Sequence, residues 1–379
     1  MWLVSLRLSA SVLVSTLFAL AHGSAADSDT HNDMKSKLLH HELSPAARAF
    51  KREDGTRSSA LETWHSQAAS AFDARCRRVW HAKVNKTLAL AFQRDSEFTR
   101  HVKKWDYHAN TSLAFDAFEP VYSCESRERL PFAPGDGPKW ACGLDALQDV
   151  DADDCLVFSF GSNGDPSFEY AVHARLPHCR VFTFDPSMGD PNNKAQAAKL
   201  ARVRRAEADG ALRFVDEGLS GVSGPWTVPW GKPGVVWKMD TLEGFYTRLS
   251  GHGDHSSEGT ARGAHRVGRQ ASAPRVDISL LKVDIEGSEY EALAMLSDLC
   301  AAGRLTIGQL QIEVHQPEVS SILWQMHTLF VQTLERSCGL ALFNKEVNTW
   351  SPVPCSEFSF IGPEHAWRAF RRDHPSCEA

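Results

Sequence analysis

No C-x-x-C pair occurs in the 379 residues, although nine cysteines are present. That absence argues against a zinc ribbon. After residue 25 no apolar run approaches the length a bilayer requires, so no stable membrane span is expected once a leader is removed. Positive charge is not in excess: 41 Lys and Arg face 47 Asp and Glu, a formal net charge of −6. The short cluster Arg202, Arg204 and Arg205 reads as a solvated helix face, so no nucleic-acid partner is expected. The third glycine of the G-x-G-x-x-G dinucleotide fingerprint is also missing from the glycine turn at residues 161–164.

What is present begins at the N-terminus. Arg7 precedes an apolar run from Leu8 to Ala21, and small residues follow at Ala21, Gly23 and Ala25. This layout predicts a signal peptide over 1–25, with an uncleaved anchor as the alternative. Two sequons, Asn85-Lys86-Thr87 and Asn110-Thr111-Ser112, agree with export. A secreted protein or a resident of the secretory lumen is therefore expected. In that compartment some cysteines pair, and the odd count leaves at least one over or joined to another chain. Cys142 and Cys155 bracket the approach to a buried strand and are the preferred disulfide candidates.

Residues 26–59 are polar and read as a mobile lead-in. Helical spacing follows in Leu61, Trp64, Ala68, Phe72 and Val79, and a Pro- and Gly-rich stretch covers Glu119 to Trp140. Residues 60–138 are thus a helical extension and linker, packed on a main domain at 139–379. Ser250 to Pro274 is Gly-, Ser-, His- and Arg-rich, a disordered surface insertion at 250–274. Its His252, His255 and His265 lack companion ligands at metal spacing, and no metal is expected.

The main domain alternates strand and helix signals, which predicts a mostly parallel sheet with helices on both faces. Leu156 to Phe160 is a buried strand, followed by a turn containing Gly161 and Gly164, then Asp165 as N-cap and Pro166 at the first helical position. Arg180 to Phe184 is the second strand, Asn192 to Arg205 its helix, and Leu212 to Val215 the third strand. Trp226 to Trp237 reads as irregular and Asp240 to Leu249 as a short helix. Ile278 to Val283 is a strand, with Glu286 opening a helix through Leu299. Ile307 to Val314 is the next strand, and Val319 to Ser337 a long helix. Leu340 to Phe343 and Glu357 to Ile361 close the sheet, and the tail beyond Pro363 is polar and basic.

Ligands of such sheets bind outside the carboxyl ends of the strands. Three strands end in Asp185, Asp284 and His315, and one in the glycine turn. Asp185 has the position of a residue that accepts hydrogen bonds from ribose hydroxyls, or of a helix cap before Pro186. Asp284, Glu286 and Glu289 crowd one strand end, where Glu286 and Glu289 suit a first helical turn. Glu313 and His315 share a strand face, and His315 suits a general base or a backbone-bound histidine.

The block Lys282 to Leu293, KVDIEGSEYEAL, resembles the K-[IV]-D-[IV]-E-G-x-E signature of FkbM-type methyltransferases. KWACGL, CLVFSFGSNGDPSFEYAV, FTFDPS, LLKVDIEGSEYEAL and QLQIEVH occur in an order similar to the methyltransferase-like 24 family. The resemblance covers roughly Lys139 to Gly362. It implies a class I, Rossmann-like α/β fold with a seven-stranded sheet, binding S-adenosyl-L-methionine. Gly161, Ser162, Asn163 and Gly164 would surround the methionine moiety, Asp185 would hold the ribose, and Asp216 would lie near adenine. Asp284 would lie near the cofactor amino group or the acceptor. Asp284 and His315 are the candidate catalytic groups for transfer to a hydroxyl of a small molecule or glycan. The alternatives are a secreted binding module that kept the fold without catalysis, and an NAD-dependent oxidoreductase.

Overall fold

The apolar runs pair largely as the alternation of strands and helices predicts. The computed structural model describes residues 63–64, 66–67, 74–102, 115, 117–189, 194–228, 234–249, 275–315, 322–349 and 355–375. The expected signal peptide, the polar lead-in, the Asn110 sequon and the insertion at 250–274 lie outside the described residues.

Seven strands form one sheet: β3 (Leu156–Phe160), β4 (Arg180–Phe184), β5 (Arg213–Val215), β9 (Val276–Val283), β10 (Leu305–His315), β11 (Ala341–Asn348) and β12 (Cys355–Ile361). Their order is β11-β12-β10-β9-β3-β4-β5. The strands β10, β9, β3, β4 and β5 run parallel, and β12 is antiparallel to both β10 and β11. This is the class I methyltransferase-like arrangement, with helices on both faces. The order reverses at β3, whose neighbours are β4 and β9, and a crevice opens there at the carboxyl ends of the strands.

Local sequence explains the centre. Every residue of β3 is buried. Its period of two sends Phe158 and Phe160 into one core and Val157 into the other. Phe160 stacks on Phe184 with ring centroids 4.3 Å apart, and both meet Phe245 of α4 (Leu242–Leu249). On the other face, Phe168 and Val172 of α2 (Ser167–Arg175) cover Val157 and Val181. The helix α1 (Ala74–Val102) packs Trp80 and Val84 into the first core, where Trp80 meets Trp367 at 5.0 Å. Among the described residues no helix is long and apolar enough to cross a membrane.

Several expectations need correction. The stretch 119–140 holds a hairpin, β1 (Arg127–Leu130) paired with β2 (Lys139–Cys142). Trp226 and Trp237 are not irregular. They sit opposite each other on β7 (Gly224–Thr227) and β8 (Val236–Asp240), which with β6 (Gly218–Leu219) make a second, three-stranded sheet. The helix expected from Glu286 is delayed: Glu286 and Gly287 take φ of 58° and 102°, and the chain then forms α5 (Glu289–Leu293) and α6 (Leu296–Ala301). The long helix after 319 is described as α7 (Ile322–His327), continuing with wider π spacing over Thr328–Ser337. The tail beyond Pro363 is α8 (Pro363–Asp373), which buries Ala366, Trp367, Ala369 and Phe370 and exposes charge. Between α2 and β5, α3 runs Lys194–Ala208. Cys142 and Cys155 do not pair together. The bridges are Cys124–Cys142, Cys155–Cys179 and Cys300–Cys338, Cys76 is also bridged, and buried Cys355 keeps its thiol.

Candidate active site

The glycine turn forms because nothing larger fits. Gly161 has φ 79°, and a Cβ there would lie 1.6 Å from the Asp284 carbonyl oxygen. At Gly164, φ 71°, a Cβ would meet the Lys199 side chain at 2.3 Å. Gly161 N–H donates to the Phe184 carbonyl at 2.9 Å, and Asp284 N–H donates to the Phe160 carbonyl at 3.1 Å. Buried Lys282 donates to the Gly161 carbonyl at 2.6 Å. Gly161, Asp185 and Asp284 are therefore brought to one rim. Ser167, not Pro166, opens α2: Pro166 takes the N-cap position expected of Asp165, and Asp165, one residue earlier, accepts the Ser167 N–H at 3.0 Å.

Asp185 holds the turn in shape. One carboxylate oxygen accepts the Ser162 N–H (3.1 Å), the Asn163 N–H (2.7 Å) and the Ser162 hydroxyl (3.2 Å). The other accepts the Ser187 N–H (2.9 Å) and hydroxyl (2.6 Å). With 4% exposure, Asp185 is a buried acid satisfied by its own chain, so any ribose hydroxyl there would have to replace a serine hydroxyl. Asp216 is exposed on the crevice wall. Its carboxyl faces the crevice, where partial desolvation, and then the charge of Asp185, push its pKa upward.

Across the turn lies an ionic cluster. Glu289 is fully buried and accepts the N–H groups of Ile285 (3.1 Å) and Gly287 (3.0 Å). It also accepts from His315 Nδ1 at 3.0 Å. This fixes the tautomer and turns Nε2 toward Glu286 Oε2 at 3.4 Å and Glu313 Oε1 at 3.8 Å. Burial opposes charge on His315, but the bond and charge of Glu289, then Asp284 and Glu286, raise its pKa to about 9. Asp284 Oδ2 lies 3.2 Å from Lys139 Nζ and 3.7 Å from Lys282 Nζ. Asp284, Glu286 and His315 thus crowd their polar atoms within 4.8 Å of one another.

Sequence reasoning missed three members. Glu289 was read as a helix-dipole acid and is the partner of His315. Lys139 sits inside KWACGL, and Glu357 lies directly opposite Glu313 in the β10–β12 register, a pairing that local pattern does not carry. These three stand behind the surface: the glycine turn, Asp185, Asp284, Glu286, Glu313 and His315 line a cavity of about 1420 Å³, whose wall also includes the pair Trp226–Trp237, ring centroids 5.5 Å apart.

Residues 63–204 match a family model described as a methyltransferase domain. The match takes in α1, which the resemblance left outside, and ends before Lys282. No curated protein matches the chain. Among solved structures the chain is similar to the methyltransferase FkbM from Methylobacillus flagellatus KT, at 15% identity and a TM-score of 0.32. That likeness covers 79% of this chain and 58% of that one, so the chain spans less than two thirds of it. It is also similar to the precorrin-6y C5,15-methyltransferase of Geobacter metallireducens GS-15, at 11% identity and a TM-score of 0.28, over 58% of this chain and 85% of that one. The fold is defined by its strand order, β11-β12-β10-β9-β3-β4-β5. Residues 63–204 are thus similar to a methyltransferase domain, and the strand order of the sheet is the one a class I methyltransferase-like fold has.

Proposed function

We propose that the crevice binds S-adenosyl-L-methionine and that the protein methylates a hydroxyl of a small molecule or glycan within the secretory pathway. The observation that carries this reading is the convergence at the strand ends. The glycine turn touches Asp284, and the carboxylate of Asp185 ties that turn together from its other side. The residues present fit the cofactor's charge: around His315, the acids Asp284, Glu286, Glu289 and Glu313 outnumber the basic groups Lys139, Lys282 and His315 itself. Such a rim favours a cationic ligand. The disulfides support an oxidising compartment.

When bound, the cofactor supplies an electrophilic methyl group. The chain's own residues hold donor and acceptor in line, which provides much of the rate. Gly161 to Gly164 bound the cofactor pocket, and Asp185 maintains their shape. His315 is the general base: with Nδ1–H held by Glu289, its neutral form presents a lone pair at Nε2. Below about pH 9 this imidazole carries its proton, so transfer should quicken as pH rises. A cationic cofactor nearby would favour the neutral imidazole and bring that limb down.

Calorimetry with S-adenosylhomocysteine tests the assignment. Asp185→Ala should weaken binding by about tenfold or more through collapse of the turn, roughly the loss of one charge-assisted hydrogen bond. His315→Ala should leave affinity within about threefold, well under 1.4 kcal/mol. Unchanged affinity in Asp185→Ala would refute the cofactor assignment of this crevice.

A further inference from the structure

The KWACGL stretch has no part in the chemistry above, yet it delivers a buried charge to the rim. Lys139 is 1% exposed. Its Nζ lies 3.2 Å from Asp284 Oδ2 and 3.2 Å from Glu313 Oε2, and it also bonds Glu357 Oε1. One ammonium thus joins an acid from each of β10 and β12 and the acid that ends β9. Glu313 and Glu357 face each other directly across the antiparallel pair, where two like charges repel. Burial, relieved by Lys139, pushes the Glu357 carboxyl up, while at Glu313 burial is outweighed by the charge of Lys139 and by hydrogen bonds, which together hold that carboxyl down. The second oxygen of Glu313 accepts from Asn348 at 2.9 Å and lies 3.8 Å from His315 Nε2.

The strand carrying Lys139 is pinned at its far end. Cys142 is bridged to Cys124, and the Gln309 side chain bonds both its N–H (2.8 Å) and its carbonyl (2.9 Å). A long lysine stem needs such an anchor, because burying it sacrifices considerable rotamer freedom.

We propose that Lys139 is a positioning residue of the methyl-transfer site: it fixes Asp284 and Glu313 against the crevice and sets the field that His315 experiences. This rests on the reading of the crevice as a methyl-transfer site. The charged groups facing His315 are Glu289, Glu286 and Asp284 from the β9–α5 turn and Glu313 from its own strand. Glu357 of β12, Lys139 and Lys282 stand behind them. Removing one positive charge from this group makes loss of the His315 proton harder.

The test uses Lys139→Met in the full chain, with Lys139→Met/Glu357→Gln as a second variant: it replaces the carboxyl left without its lysine, which burial keeps from ionising readily, and so protects the fold while still removing only the one positive charge. Histidine NMR titration, with His315→Gln to assign the signal, should show the His315 midpoint raised by about half a pH unit or more in whichever variant folds. Calorimetry should show S-adenosylhomocysteine affinity reduced by about tenfold. A folded variant with both quantities unchanged would make Lys139 a structural charge only and overturn the proposal. If the wild type takes no S-adenosylhomocysteine while the midpoint still moves, the methyl-transfer reading fails and the coupling of Lys139 to His315 stands.

Discussion

At the scale of single residues, two carboxylates do similar work on either side of the crevice. Asp185 gathers the N–H groups of the glycine turn, and Glu289 gathers those of the turn after β9. Glu289 differs in that one oxygen also holds His315. Glu289→Gln keeps the shape but removes the charge that most stabilises the imidazolium. Burial then dominates, and the His315 midpoint should fall from about 9 toward or below 6.5, read by histidine NMR. A midpoint that stays near 9 would assign the shift to Asp284 and Glu286 instead. The sequence made Gly161 legible, because a glycine after an apolar strand has few other uses. It could not make the Glu289–His315 bond legible, since the partners are 26 residues apart and meet only when β9 and β10 pair.

Among elements, those with a strong local period were readable and those defined by a distant partner were not. The strands β3, β4, β9 and β10 are apolar runs that any parallel sheet would bury on both faces. By contrast, β7 and β8 carry Pro225 and paired tryptophans and become strands through each other and β6. The helix α8 was hidden because its sequence, PEHAWRAFRRD, is dominated by charge, while its buried residues are His365, Ala366, Trp367, Ala369 and Phe370. The hairpin β1–β2 was masked by the prolines and glycines that form its loop. Its position depends on the Cys124–Cys142 bridge, which closes a separation of 18 residues. Replacing both cysteines by serine should lower unfolding free energy by about 3 kcal/mol, as loop-closure entropy suggests. It should also loosen Lys139 and weaken S-adenosylhomocysteine binding, whereas the same change at Cys300 on α6 and Cys338 just after the π segment should lower stability alone. Denaturant melts with calorimetry on both pairs separate the two outcomes.

For the whole molecule, two histidines bend the dependence of stability on pH in opposite directions. His315 binds its proton more tightly when folded, with a midpoint of about 9 against 6.5 in the unfolded chain. Its contribution is complete below pH 6.5 and is lost as pH rises through 9. His365 is buried on α8 beside the Cys142 carbonyl at 2.9 Å, and burial pushes its pKa down to about 4. Its neutral form is what the fold accepts, so its contribution is complete above pH 6.5 and is lost as pH falls through 4. Each histidine alone can tilt stability by at most about 1.4 kcal/mol per pH unit within its window. Buried Glu169, Glu335 and Glu357 have raised pKa values, burial being the main cause, and they oppose His365 in acid. The total curve therefore mixes signs, and difference curves isolate each group. Subtracting the curve of His315→Gln from that of the wild type should leave a slope confined to pH 6.5–9. The same subtraction for His365→Gln should leave one of opposite sign between pH 4 and 6.5. A flat alkaline difference for His315→Gln would mean that its imidazole is not held charged by the rim. The acid cluster would then lack the surplus negative charge on which a fit to a cationic cofactor depends.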